Sequence, residues 1–118
     1  MSLAATVLTA LVAALHAYFL VVEMFLWTKP YGRRVFGLTP EKAEITRVLA
    51  ANQGLYNGFL AAGLAWALWR GAAGFELQVF LLGCVIVAGL YGGATASKRI
   101  YVVQALPGAL ALAATVWR

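Results

Sequence analysis

Charge is scarce in this sequence: 11% of its 118 residues are charged, against about a quarter in soluble domains. So few charged side chains cannot cover an ordinary solvated surface, which excludes a typical water-soluble domain. Cysteine is down to one, Cys84, inside an apolar run. No intrachain disulfide is available, and the residue reads as a small buried hydrophobe. With a single histidine, His16, and no Cys–His spacing, nothing assembles a protein metal site. The first apolar run lacks a preceding basic stretch, is long, and ends in the aromatic-rich HAYFLVVEMFLW; it reads as a retained helix rather than a cleaved leader. Repeats, low-complexity tracts and linkers are absent, and residues 1–118 are read as one domain.

What is there is apolar, 64% of the chain. A helix needs about 20 mainly apolar residues to cross the hydrocarbon core of a bilayer, so four crossings with short turns use nearly the whole length. The spacing predicts an all-α, four-transmembrane-helix bundle with helices over about 3–27, 40–69, 75–96 and 100–117. TKPYGRR stops helix one, because Pro30, Gly32 and three cations end an apolar span. Thr39, Pro40 and Glu41 then form a helix start: a hydroxyl cap, a proline at the first position and a carboxylate in the first turn. RGAAG and SKR make the next turns, and Pro107 marks a kink in helix four.

The net charge is +5, but the cations sit between apolar segments rather than along one face, which argues for topology signals and against nucleic acid. Lys29, Arg33, Arg34, Lys42 and Arg47 lie around the first loop and Lys98 and Arg99 in the third, while the other side has Arg70 and Arg118. Positively charged loops stay in the cytoplasm. The expected arrangement is a multi-pass protein of the inner (plasma) membrane, the lipid bilayer its first partner, with both termini outside the cytoplasm. Trp27, Trp66, Trp69 and Trp117 suit interfacial belts.

Polar groups inside the spans are costly in hydrocarbon and are therefore the candidate functional residues. Glu23 is the one carboxylate well inside a span, and His16 lies seven residues earlier on the same helical face. Asn52, Gln53, Tyr56 and Asn57 open the membrane part of helix two over an arc of about 140°, with Gly54 and Gly58 on another face. Tyr91, Thr95 and Ser97 from helix three and Tyr101 and Gln104 from helix four fall at the same depth. The expectation is a polar, cytoplasm-facing cavity lined by Glu23, Asn52, Gln53, Tyr56, Asn57, Tyr91, Tyr101 and Gln104, with Glu23 and Tyr101 as candidate catalytic acid–base groups. The plainer alternative is that the amides bond helix to helix at about 0.6 kcal/mol each, that Glu23 pairs with a loop cation such as Arg47 or Lys98, and that His16 is a hydrogen-bonded interior histidine. The small-xxx-small patterns Gly54–Gly58–Ala62 and Gly89–Gly93 allow close helix approach, either within one chain or between copies in a homo-oligomer, dimer or trimer.

TRVLAANQGLYNGFLAAGLAW resembles the signature of small bacterial and fungal four-helix membrane proteins known as a domain of unknown function. That resemblance covers essentially the whole chain and implies the four-helix architecture. A second resemblance is to the MAPEG superfamily, the membrane glutathione transferases and eicosanoid synthases. It rests on Met24-Phe25, RRVFGLTPE, Arg47-Val48 and KRIYVVQ, which places Lys98 and Tyr101 at the start of the fourth helix. It implies a trimeric fold with an active site toward the cytoplasm and glutathione as cofactor. The glutathione-holding Arg, Asn and Glu of that family's second helix read here as Ala50, Gly54 and Asn57, and ALPGALALAATVW offers no thiolate-activating arginine.

Three readings follow from these residues. The first is a binding or accessory protein holding a small lipophilic or amphipathic molecule in the polar cavity. The second is a MAPEG-like membrane enzyme acting on a thiol or lipid substrate, and the third a transporter or channel, which needs a continuous polar path that the dry outer halves of the helices do not offer.

Overall fold

The computed structural model describes residues 1–117; Arg118, one of the two cations assigned to the outer side, lies outside the described residues. Among these the chain is all-helical, without a strand. Helix α1, Leu3–Val21, continues without a break into a π-helical turn, Val22–Leu26, and is followed by the short α2, Pro30–Phe36. Helix α3, Pro40–Arg70, passes through a 3₁₀ turn, Gly71–Gly74, into α4, Phe75–Thr95. A second π-helical segment, Tyr101–Ala105, leads into α5, Leu106–Val116.

The ends of these helices follow from local chemistry. Thr39 Oγ1 accepts the Lys42 N–H at 3.1 Å and caps α3, with Pro40 at the first position, where no N–H is needed. The same proline logic accounts for α2, which the sequence reading leaves as a non-helical stop. Pro30 ends the apolar span but sits at the start of a new helix, and Gly37, at φ 64°, closes it by letting the Leu38 N–H reach Arg33 O at 2.8 Å. Pro107 lies in the first turn of α5, just beyond a π-helical segment. A wider turn accommodates the ring and the missing N–H that would otherwise break the ladder.

Contacts group the chain into two compact units, one of Met1–Ala14 with the chain from Leu60 onward, the other Leu15–Phe59. The first is centred on Val12, Leu64, Leu82, Val85 and Ala111. Its last two helical stretches approach to backbone contact: a Cβ at Gly89 would stand 2.7 Å from the Ala105 nitrogen, and one at Gly93 would stand 2.3 Å from the Tyr101 ring. In the second unit a Cβ at Gly54 would meet Met24 Cγ at 2.8 Å, and one at Gly58 would meet Leu20 Cδ1 at 2.4 Å. Both glycine pairs are thus occupied by neighbours in the same chain. The Trp27 ring packs on Phe36 at 4.8 Å, tilted by 46°, and donates to Thr46 Oγ1 at 3.0 Å, tying α2 to α3.

Beside the apolar cluster, many buried positions are small or polar, and many large apolar side chains are exposed. Ala5, Ala43, Ala50, Ala67, Ala105 and Ala111 are buried together with Thr9, His16, Glu23, Gln78 and Thr115, whereas Ile45, Trp69 and Trp117 are more than 80% exposed. Two helical stretches, Leu3–Leu26 and Pro40–Thr95, are long and apolar enough to cross a membrane, and only 28% of each apolar window is buried. Tyr101–Val116 is apolar but shorter.

Candidate functional site

Along α1 and its π turn the buried positions include Ala5, Thr9, Val12, His16 and Glu23, one stripe of a 3.6-residue helix. Three of them, at intervals of seven, are polar. The π turn begins one residue before Glu23, and its wider circuit buries two consecutive residues, Val22 and Glu23; such turns often mark functional positions.

Glu23 is 2% exposed. Its Oε2 accepts from Gln53 Nε2 at 2.5 Å and its Oε1 from Asn57 Nδ2 at 2.6 Å. Gly54, between the two amides in sequence, makes this possible, since a Cβ there would lie 3.0 Å from Glu23 Cβ. The α3 backbone comes close enough for the short asparagine side chain to reach the carboxylate. Amides and glycines therefore share one packing face of α3, where the arc drawn from sequence separates them. Each carboxyl oxygen thus accepts one amide N–H, as a carboxylate can. Hydrogen bonds to a charged group contribute about 1.5–3 kcal/mol each, while removing a carboxylate from water costs several kcal/mol. Two neutral amides offset part of that cost and bring no opposite charge.

The pairing with Arg47 is overturned. Arg47 binds Glu44 at 3.3 Å, and among the described residues of the Leu15–Phe59 unit no lysine or arginine nitrogen lies within ion-pair distance of Glu23. Helix register turns Gln53 and Asn57 toward Glu23 instead. His16 is fully buried and meets Phe19 edge-on at 5.3 Å; seven residues correspond to about 10 Å of helix rise, too far for direct pairing with Glu23.

The other candidates fall elsewhere. Asn52 is exposed and folds back on Val48 O at 2.8 Å. Tyr56 is 64% exposed, its ring edge-on to Phe59. Tyr91, Tyr101 and Gln104 belong to the other unit: Tyr91 is exposed, the Tyr101 ring covers Gly93, and Gln104 Nε2 donates to Val85 O at 3.1 Å.

That unit holds a polar group which the sequence reading misses. Gln78, fully buried, donates from Nε2 to Thr9 Oγ1 at 2.7 Å and to Thr115 Oγ1 at 3.0 Å, joining α1, α4 and α5. Its Oε1 makes no hydrogen bond within the protein. The helix ends carrying these residues are not dry, as their composition implies, but polar and paired within. The seven-residue spacing of Thr9 from His16 was the available signal; nothing in ELQVF distinguishes Gln78 from a residue at a membrane edge.

The family described as "Protein of unknown function (DUF1304)" matches residues 10–116. "Uncharacterized protein YpaA" of Lactococcus lactis subsp. lactis (strain IL1403) is 34% identical over 118 residues, covering 98% of this chain and 97% of that protein. No solved structure matches.

Proposed function

The chain belongs to the DUF1304 family, and from that premise we propose that it is a multi-pass membrane protein that binds the polar end of a small lipophilic or amphipathic molecule at Glu23, Gln53 and Asn57. Four spans place the first and third connections in the cytoplasm and both termini outside, with Glu23 toward the cytoplasmic side of the plasma membrane. The exposed apolar side chains support the membrane setting, because soluble monomers rarely present large apolar patches to water. Small residues inside and large ones outside suit helices packed in lipid. Reporter fusions placed in the RGAAG turn are expected outside and fusions in PYGRR inside; the opposite result reverses the topology.

The observation that carries the binding reading is the buried Glu23 carboxylate on a π turn, held by two neutral amides of an adjacent helix. A group so costly in hydrocarbon marks a functional position by default. Native mass spectrometry from a mild glycoside detergent tests it: a small-molecule adduct is expected on the wild type and depleted in Glu23→Gln and Asn57→Leu. Equal adducts on all three proteins reduce the cluster to packing. The same spectra count subunits and so test the proposed homo-oligomer.

The enzymatic alternative of MAPEG-like architecture gains no observation of its own. Of the positions that would grip glutathione, Gly54 is filled by Met24 and Asn57 is engaged by Glu23.

A further inference from the structure

We infer that the ligand's polar end is a cation, an amine or quaternary ammonium carried on an apolar tail, with Glu23 as its counter-ion; this rests on the binding reading above. The argument is one of charge balance in a low-dielectric setting. Glu23 is 2% exposed on an apolar helix, and its two hydrogen-bond partners are neutral. The nearest candidate for neutralisation in sequence, Arg47, is committed to Glu44. Amide N–H groups orient a carboxylate and solvate it but bring no opposite charge; a buried carboxyl either gives up its charge or is paired, and a cationic ligand supplies the pairing. The carboxylate therefore stands ready-made for a positive group.

A further feature fits a cation and disfavours an anion. Both amides spend N–H groups on Glu23, which leaves their carbonyl oxygens as acceptors for the N–H groups of an amine. An anionic head would face the Glu23 carboxylate.

Three probes with one tail and different heads separate the possibilities: octyltrimethylammonium, monooctanoylglycerol and octyl sulfate, each titrated by native mass spectrometry into protein in a neutral glycoside detergent. The wild type and the exposed-site control Glu44→Gln are expected to retain the ammonium probe at least about tenfold better than the sulfate, and Glu23→Gln to lose that preference. The wild-type comparison of heads stands even if a variant folds poorly. Retention of the glycerol probe without preference for the ammonium, sensitive to Asn57→Leu but not to Glu23→Gln, overturns the cation and leaves the binding site in place. Retention of no probe by the wild type overturns both.

Discussion

Two buried polar groups, one in each unit, answer the same problem in different ways. The Gln78 group joins three helices through neutral partners, all fully or nearly fully buried, at 2.7 and 3.0 Å. The Glu23 group joins two helices through a carboxylate, and one of its partners, Gln53, is exposed. The neutral group costs little to hold inside a bundle and does the work of packing. The charged group carries a burden that packing alone does not require, since a neutral glutamine could bridge the same helices. That contrast separates structural glue from a candidate site.

The largest expected effects test the close backbone approaches in each unit. A Cβ at Gly32 would stand 1.9 Å from Leu26 O, and one at Gly74 would stand 2.2 Å from Ala67 O. Because these are backbone atoms, Gly32→Ala and Gly74→Ala are each expected to cost about 3 kcal/mol or more. Gly32→Ala should disturb the fluorescence of Trp27, which packs beside it, and Gly74→Ala should not. Melting temperatures in detergent that stay at the wild-type value would refute the close approach.

Gly58→Leu comes next, at about 1–3 kcal/mol, because it drives into the more yielding Leu20 side chain. Unchanged thermal stability would mean that this face does not pack on α1.

Gln78→Leu is expected to cost about 1–2 kcal/mol by removing two hydrogen bonds, and adding Thr9→Val and Thr115→Val should recover most of it, since replacing all partners with apolar groups is nearly neutral. Failure of the triple variant to recover would show that the hydroxyls serve more than Gln78. Neither variant should change ligand retention.

Glu23→Gln reverses that signature, with a stability change of about 1 kcal/mol or less and a large loss of ligand. If it lowers stability as Gln78→Leu does while ligand retention persists, the two groups are alike and the contrast fails. Asn52→Ala is the smallest perturbation: its side chain bonds only its own helix, so melting should move by less than about 0.5 kcal/mol and binding not at all.

Sequence alone determined that the chain is all-helical, because runs of about 20 apolar residues broken by Pro, Gly and cations admit few other solutions, and the Thr46–Trp66 segment already resembled the family to which the chain belongs. It also singled out Glu23, since a carboxylate within an apolar run is visible without coordinates. Gln53 and Asn57 were among the polar residues expected beside it, but which members of that set meet it was not visible. Proximity in sequence favoured the loop cations, but which residues meet across two helices depends on their rotation and separation. Here Gly54 and a π turn set both, and they selected Gln53 and Asn57 while sending Asn52 and Tyr56 outward. The Gln78 group was hidden for the same reason, as its members are 69 and 37 residues apart. Helix α2 escaped for a different one: a proline that stops one helix and starts the next reads identically until Gly37 is seen to close the turn. Periodicity and composition are local properties and fix elements; the chemistry of a site depends on the register between elements, which only the tertiary structure decides.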